Sequence, residues 1–204
     1  MPDEKKKNHS VRHLLEKASL YNDIADIGEI ARRYFAMNAF DGVLTIIGVL
    51  MGNLAAGIED AHIVVTTGLS TCIAMGISGL WGSYLTESAE RKRDLDELSQ
   101  STLTDLNNSR IGKASRFAAI AVSIVDGISP FLAALLVLIP FFIHNVFVNI
   151  QMVYYTSLGV ALLTLFGLGM FLGKISKDNL ILSGIKTVIA GVASIFIGSL
   201  LNGH

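Results

Sequence analysis

Two Asp-Gly pairs, Asp41-Gly42 and Asp126-Gly127, interrupt long apolar runs of this 204-residue chain. An ionised carboxylate in hydrocarbon costs roughly 2.5–3.5 kcal/mol even on the lenient insertion scale, so it persists mainly where it has work or a partner. Each acid reads as part of a cation or proton pathway, or as a hydrogen-bonded structural acid. Beside Asp41, the residues Thr45, Gly48, Gly52 and Ala56 recur at helical spacing. Such a small-residue face admits a second helix at close range. Gly48 and Gly52, with Gly79 further on, are therefore expected to pack a dimer. Met75 offers a soft thioether ligand, or plain core filling, and Asn53 could line the same path as Asp41 and Thr45.

A second group of acids, Glu87, Glu90, Asp94 and Glu97, follows an apolar run. The last three share a helix face, and carboxylates so placed can collect divalent cations at the cytoplasmic mouth of a path. Arg91, Lys92 and Arg93 are interleaved with them, and the same pattern suits a solvated charged face. The five histidines show no ligand spacing, and the single Cys72 excludes an intrachain disulfide and a cysteine-based metal cluster. No phosphate-cradling loop, nucleophile elbow or HExxH pattern occurs, so an enzyme is not expected.

The elements that must position these groups follow from composition. Hydrophobic residues make up 51% of the chain and charged ones only 16%, against about 25% charged in soluble domains. The charges crowd into residues 1–33 and 87–116. The fold class expected is an all-α integral membrane protein of five transmembrane helices, preceded by an amphipathic amino-terminal helix. Residues 1–35 form a cytoplasmic tail and that helix, with Ser10 as N-cap and Val11, Leu14, Leu15, Ile24 and Ile27 along its apolar side. Crossings are expected at about 36–57, 61–86, 115–143, 147–172 and 179–201, within a transmembrane domain of residues 36–201. The second helix continues out of the membrane to about Leu98, inside a cytoplasmic linker of residues 87–114, and Pro130 should kink the third near Asp126.

Lysine and arginine set the direction. They cluster before the first crossing, between the second and third (Arg91, Lys92, Arg93, Arg110, Lys113, Arg116) and near Lys174 and Lys177. The turns at 58–60 and near 144 hold none. By this alternation the amino terminus is cytoplasmic and the carboxyl terminus outside, in the cell membrane if the protein is prokaryotic. No cleaved signal peptide is expected behind the polar start. The net charge of −1 gives no field for nucleic acid.

With these pieces in place, the chain resembles the vacuolar iron transporter family, in the form of a short prokaryotic-type member without the cytoplasmic metal-binding domain. The likeness rests on Asp41-Gly42-Val43-Leu44-Thr45 in the first crossing and on Gly76-Ile77-Ser78 with Gly82-Ser83-Tyr84-Leu85 in the second. Leu135-Leu136-Val137-Leu138-Ile139-Pro140-Phe141 and the spacing of Gly184, Ala190, Gly191 and Gly198 extend it over residues 35–201. The resemblance implies a homodimer that moves iron(II) or manganese(II) out of the cytosol in exchange for protons, along a path between subunits. The metal ion is then substrate, and no permanently bound cofactor is implied. The family's first-crossing aspartate falls on Asp41. Its second-crossing glutamate falls on Thr71, and its Ser-Met pair on Ser78-Gly79. Met75 could then stand in for the methionine and Asp126 for the carboxylate. Two rivals are a non-transporting membrane scaffold of the same fold and an intramembrane hydrolase with Asp41 and Asp126 as an acid pair.

Overall fold

In the computed structural model of the protein, which describes residues 27–200, the chain is all helix and turn. Helices α1 (Ile27–Ala55), α2 (Ala61–Thr102), α3 (Arg110–Phe142), α4 (Ile150–Ser176) and α5 (Leu180–Leu200) follow in order, with a short 3₁₀ turn at His144–Val146. All five are long and apolar enough to cross a membrane. The protein is therefore an integral, multi-pass membrane protein.

The first of these helices alters the expected amino-terminal arrangement. Within the described residues, Ile27 to Tyr34 belong to α1 and run without a break into the first crossing. No glycine or proline lies between Glu29 and Asp41 to stop helix propagation, so a change from charged to apolar composition does not end the helix. The expected helix over residues 10–26 lies outside the described residues. In the same way α2 runs on to Thr102, through the charged segment and past Leu98. At 1.5 Å per residue its 42 residues measure about 63 Å, twice a hydrocarbon core of about 30 Å. Helix α3 continues through both Pro130 and Pro140.

Helix ends are closed by local chemistry. Gly57, at φ 67°, ends α1: its N–H donates to the Leu54 carbonyl and the next N–H, of Ile58, to that of Asn53. The Asp60 carboxylate accepts from the His62 N–H at the start of α2, and Asn149 and Asn179 cap α4 and α5. Leu103 (φ 53°) and Lys177 (φ 59°) close α2 and α4 in the left-handed conformation without being glycine.

The described residues form two compact units. One holds Leu80–Val125 with the chain up to Tyr34, and its small core joins Ile27, Ala118 and Val122 to Ile30, Tyr34 and Ala121. The other holds Phe35–Gly79 with the chain from Asp126 onward. Its core draws Val43, Ile46, Ile47 and Leu50 from α1, Val64 and Cys72 from α2, Val137, Leu138 and Phe141 from α3, and Tyr154, Ala161 and Leu165 from α4. Phe141 meets Tyr154 edge to face at 5.0 Å, and the Tyr154 hydroxyl donates to the Ile58 carbonyl at 2.9 Å. Against α4, α5 buries only Gly184 and Gly191 and leaves Ile181, Ile185, Ile189 and Phe196 exposed. So large an apolar surface suits contact with lipid.

Candidate functional site

Asp126 lies in the middle of α3 and is 6% exposed. The Asn38 side-chain amide, from α1, donates to its Oδ1. A buried carboxylate needs such donors, because leaving it unpaired costs far more than the bond itself contributes. The backbone around it is buried and lacks one of the usual helical hydrogen bonds. Pro130 has no N–H to give the Asp126 carbonyl, four residues back. Glycines of both neighbouring helices press on this segment. A Cβ at Gly42 would stand 2.6 Å from the Pro130 carbonyl oxygen, one at Gly76 3.0 Å from that of Gly127, and one at Gly79 3.2 Å from that of Asp126. Helices α1 and α2 thus approach the Asp126–Pro130 segment so closely that at Gly42 no side chain fits.

Asp41 has a different setting. It is exposed, one turn along α1 from Asn38. The Thr45 hydroxyl donates to the Asp41 carbonyl oxygen at 2.8 Å, so its proton is used by the backbone. Beyond Thr45 the same side of α1 stays open: Gly48 and Gly52 are exposed, and a Cβ at either would meet nothing within 4 Å. The buried residues Ala39, Val43, Ile46 and Leu50 lie on the opposite side. The structure therefore separates three glycines that sequence pattern grouped. Gly48 and Gly52 line an open face, whereas Gly79 packs inside the subunit against α3.

The remaining residues singled out by sequence are placed as follows. Met75 is half-buried on α2, beside Gly76. The Asn53 amide donates to the Thr67 hydroxyl at 3.1 Å, joining the far ends of α1 and α2, and the Thr71 hydroxyl donates to the Thr67 carbonyl at 2.8 Å. Glu87 is 8% exposed and fully engaged, with Oε1 accepting from the Tyr34 hydroxyl at 2.9 Å and Oε2 paired to Arg91 Nε at 3.0 Å. Glu90, Asp94 and Glu97 are exposed, and Glu97 pairs with Arg93 at 2.9 Å. That hydrogen bond, with the nearby charges of Asp94 and Glu90, pushes the Arg93 guanidinium even higher than its usual range. Among the described residues no three His, Cys, Asp or Glu side chains converge as a metal ligand set.

Sequence reasoning passed over Asn38 and Tyr34, the two α1 residues that hold buried acids. The available signal for Asn38 was an amide inside an apolar run, three residues before Asp41.

Residues 33–113, from α1 to the first turn of α3, match the sequence model of the VIT family. An uncharacterised protein of the archaeon Methanocaldococcus jannaschii is 35% identical over 169 residues, covering 81% of this chain and 85% of that protein. With five membrane-crossing helices and this match over most of its length, the chain belongs to the VIT family, a family of membrane transporters associated with the movement of metal ions.

Proposed function

We propose that the protein exports a divalent cation, iron(II) or manganese(II), from the cytosol in exchange for protons, along a path formed between two copies of the chain. The open face of α1 carries this reading: Asp41, Thr45, Gly48 and Gly52 run along one side of the helix, and among the described residues no side chain of the same subunit covers either glycine. A second copy laid on that face would bring two Asp41 carboxylates toward one axis, which offsets the scarcity of ligands within one subunit. Asp126, held by Asn38, supplies a further carboxylate, Met75 a soft donor, and Asn53 a neutral oxygen toward the far end. Hard and borderline divalent cations of this size accept such mixed oxygen and thioether sets. The exposed acids Glu90, Asp94 and Glu97 would raise the local cation concentration at the cytoplasmic mouth, with Glu87 shaping the helix there. The alternation of lysine and arginine supports a cytoplasmic amino terminus, a cytoplasmic linker at 87–114 and a carboxyl terminus outside.

The test is uptake of iron(II) or manganese(II) into proteoliposomes at two pH values, for wild type, Asp41→Asn and Asp126→Asn. The expected result is metal uptake with counterflow of protons, lost or strongly reduced in both variants while each stays folded. A second reading, a scaffold that kept the fold without transport, is favoured by Thr71 and Gly79 at the family's glutamate and methionine positions. Wild-type protein with neither uptake nor a metal-induced gain in thermal stability would decide for the scaffold.

A further inference from the structure

A cleft of about 560 Å³ opens between α2 and the start of α3, in the unit that contains Leu80–Val125. Three of its lining side chains are cations, Arg91, Lys92 and Arg116, and none is a carboxylate. Neutral donors, among them Ser88 and Ser115, stand beside them. The wall toward the apolar part of the helices is Tyr84, Ala119 and Ile120, of which Tyr84 and Ile120 are 40% and 49% exposed. Glu87 takes the Nε of Arg91 from outside the lining, and Arg116 donates through Nη2 to the Asn107 carbonyl, which folds the linker over one end. Gly112 lets that linker approach, since a Cβ there would stand 2.6 Å from the Leu106 carbonyl oxygen.

The depth of the cleft is marked by a pair of aromatic rings. Trp81 and Tyr84 stand one turn apart with ring centroids 6.4 Å from each other, and both are exposed. Exposed tryptophan and tyrosine at the end of a crossing helix anchor at the membrane–water boundary. Arg91 follows Tyr84 by seven residues, about 10 Å of helix, and the headgroup layer is about 5–8 Å deep on each side. The long stems of arginine and lysine cover the difference. The cations of the cleft therefore reach the level of lipid phosphates, with apolar wall on the membrane side.

We propose that this cleft binds the phosphate of an anionic glycerophospholipid, with the acyl chains lying along Tyr84 and Ile120. A lining with three cations and no carboxylate pairs with the phosphate diester and offers no ion-pair partner to the ammonium of a zwitterionic headgroup. The exposed apolar wall distinguishes a lipid from a soluble anion, which has no use for it.

The experiment uses the full chain, delipidated in detergent and titrated with phosphatidylglycerol or phosphatidylcholine. Bound lipid is counted by native mass spectrometry, and thermal stability is followed in parallel. Phosphatidylglycerol is expected to bind at least tenfold tighter than phosphatidylcholine. Removing one cation, as in Lys92→Gln, should weaken it roughly fivefold, because a juxtamembrane lysine or arginine contributes about 1 kcal/mol of attraction to an anionic lipid. Arg116→Gln should add a similar factor, and Arg116→Lys should recover most of it. The bond that holds the linker is made by Arg116 and not by Lys92, so Lys92→Gln still reads binding if Arg116→Gln disturbs the fold. Arg93→Gln removes a cation that pairs with Glu97 outside the cleft and should change nothing. Three results would overturn the proposal: equal affinity for the two lipids, an equal loss from Arg93→Gln, or stabilisation by inorganic phosphate or glycerol phosphate that matches the lipid. The last would make the occupant a soluble anion.

Discussion

Replacing Gly42 by alanine tests the claim that α1 is locked against the Asp126–Pro130 segment. The added Cβ would lie 2.6 Å from the Pro130 carbonyl oxygen and 2.7 Å from its Cα, against a normal contact of about 3.5 Å. Both neighbours are backbone, and Pro130 cannot rotate out of the way, so α1 must withdraw by several tenths of an ångström or more. Overpacking of this kind costs about 1–3 kcal/mol. Alanine recovers about 1 kcal/mol of helix propensity, which lowers the net cost without cancelling its upper range. Gly48→Ala carries the same propensity gain with nothing within 4 Å of the new methyl group, so the pair isolates the clash. At 2–4 °C per kcal/mol for a chain of this size, a clash of about 2 kcal/mol should place Gly42→Ala about 4–8 °C below Gly48→Ala in thermal unfolding. The withdrawal also lengthens the Asn38–Asp126 bond, so uptake should fall with stability in Gly42→Ala. Equal melting temperatures for the two variants, in detergent and in bilayers, would refute the close packing of α1 on α3.

Gly48→Leu or Gly52→Leu should weaken self-association in a bilayer, measured by single-molecule counting or crosslinking, because close approach there depends on a missing side chain; two variants that stay fully dimeric would move the interface elsewhere. Tyr34→Phe removes the hydroxyl that donates to buried Glu87 and should destabilise the protein by about 1–3 kcal/mol in a denaturation series, more than Tyr155→Phe at an exposed position. Leu103→Gly should raise the unfolding temperature, since Leu103 is 94% exposed and holds a left-handed conformation that costs a non-glycine residue about 1–2 kcal/mol. The Asn107 backbone N–H, and then its side-chain amide, hold the Asp105 carboxyl below its ordinary range. The contribution of that turn is therefore present above the unfolded pKa and lost as pH falls through the lowered folded value, and Asp105→Asn should remove the acid limb from amide exchange in residues 103–109.

Much of the fold was legible because membrane crossing is a property of composition over some twenty residues, which a local reading captures. The acids were legible for the same reason: Asp41 and Asp126 stand out against apolar surroundings. What packs against what was not. Asn38, which donates to Asp126, is 88 positions from it, and Tyr34, which donates to Glu87, is 53 positions away on a helix whose first described turns read as a separate element. Nothing in the local pattern tells Gly48 from Gly79; only the neighbouring helix shows that one faces open space and the other a carbonyl.

These contacts give the two aspartates different roles in the proposed path. Asp126 receives a donor from within the subunit and is buried without any second copy, so its geometry is set by α1 through Asn38 and through Gly42 packed on Pro130 of α3. Asp41 is exposed on the face where a second copy would lie in the proposed dimer, and its surroundings there would be set by that copy. Asn38 and Asp41 are three residues apart on one helix, so in the proposed dimer a movement of α1 against a second copy would be transmitted to the buried acid through less than one turn. A cation held by Asp41 in one arrangement of the dimer could thereby alter the pairing of Asp126 in the other. That coupling predicts that Asn38→Ala changes the pH dependence of uptake more than its maximal rate, whereas Asp41→Asn abolishes the rate itself.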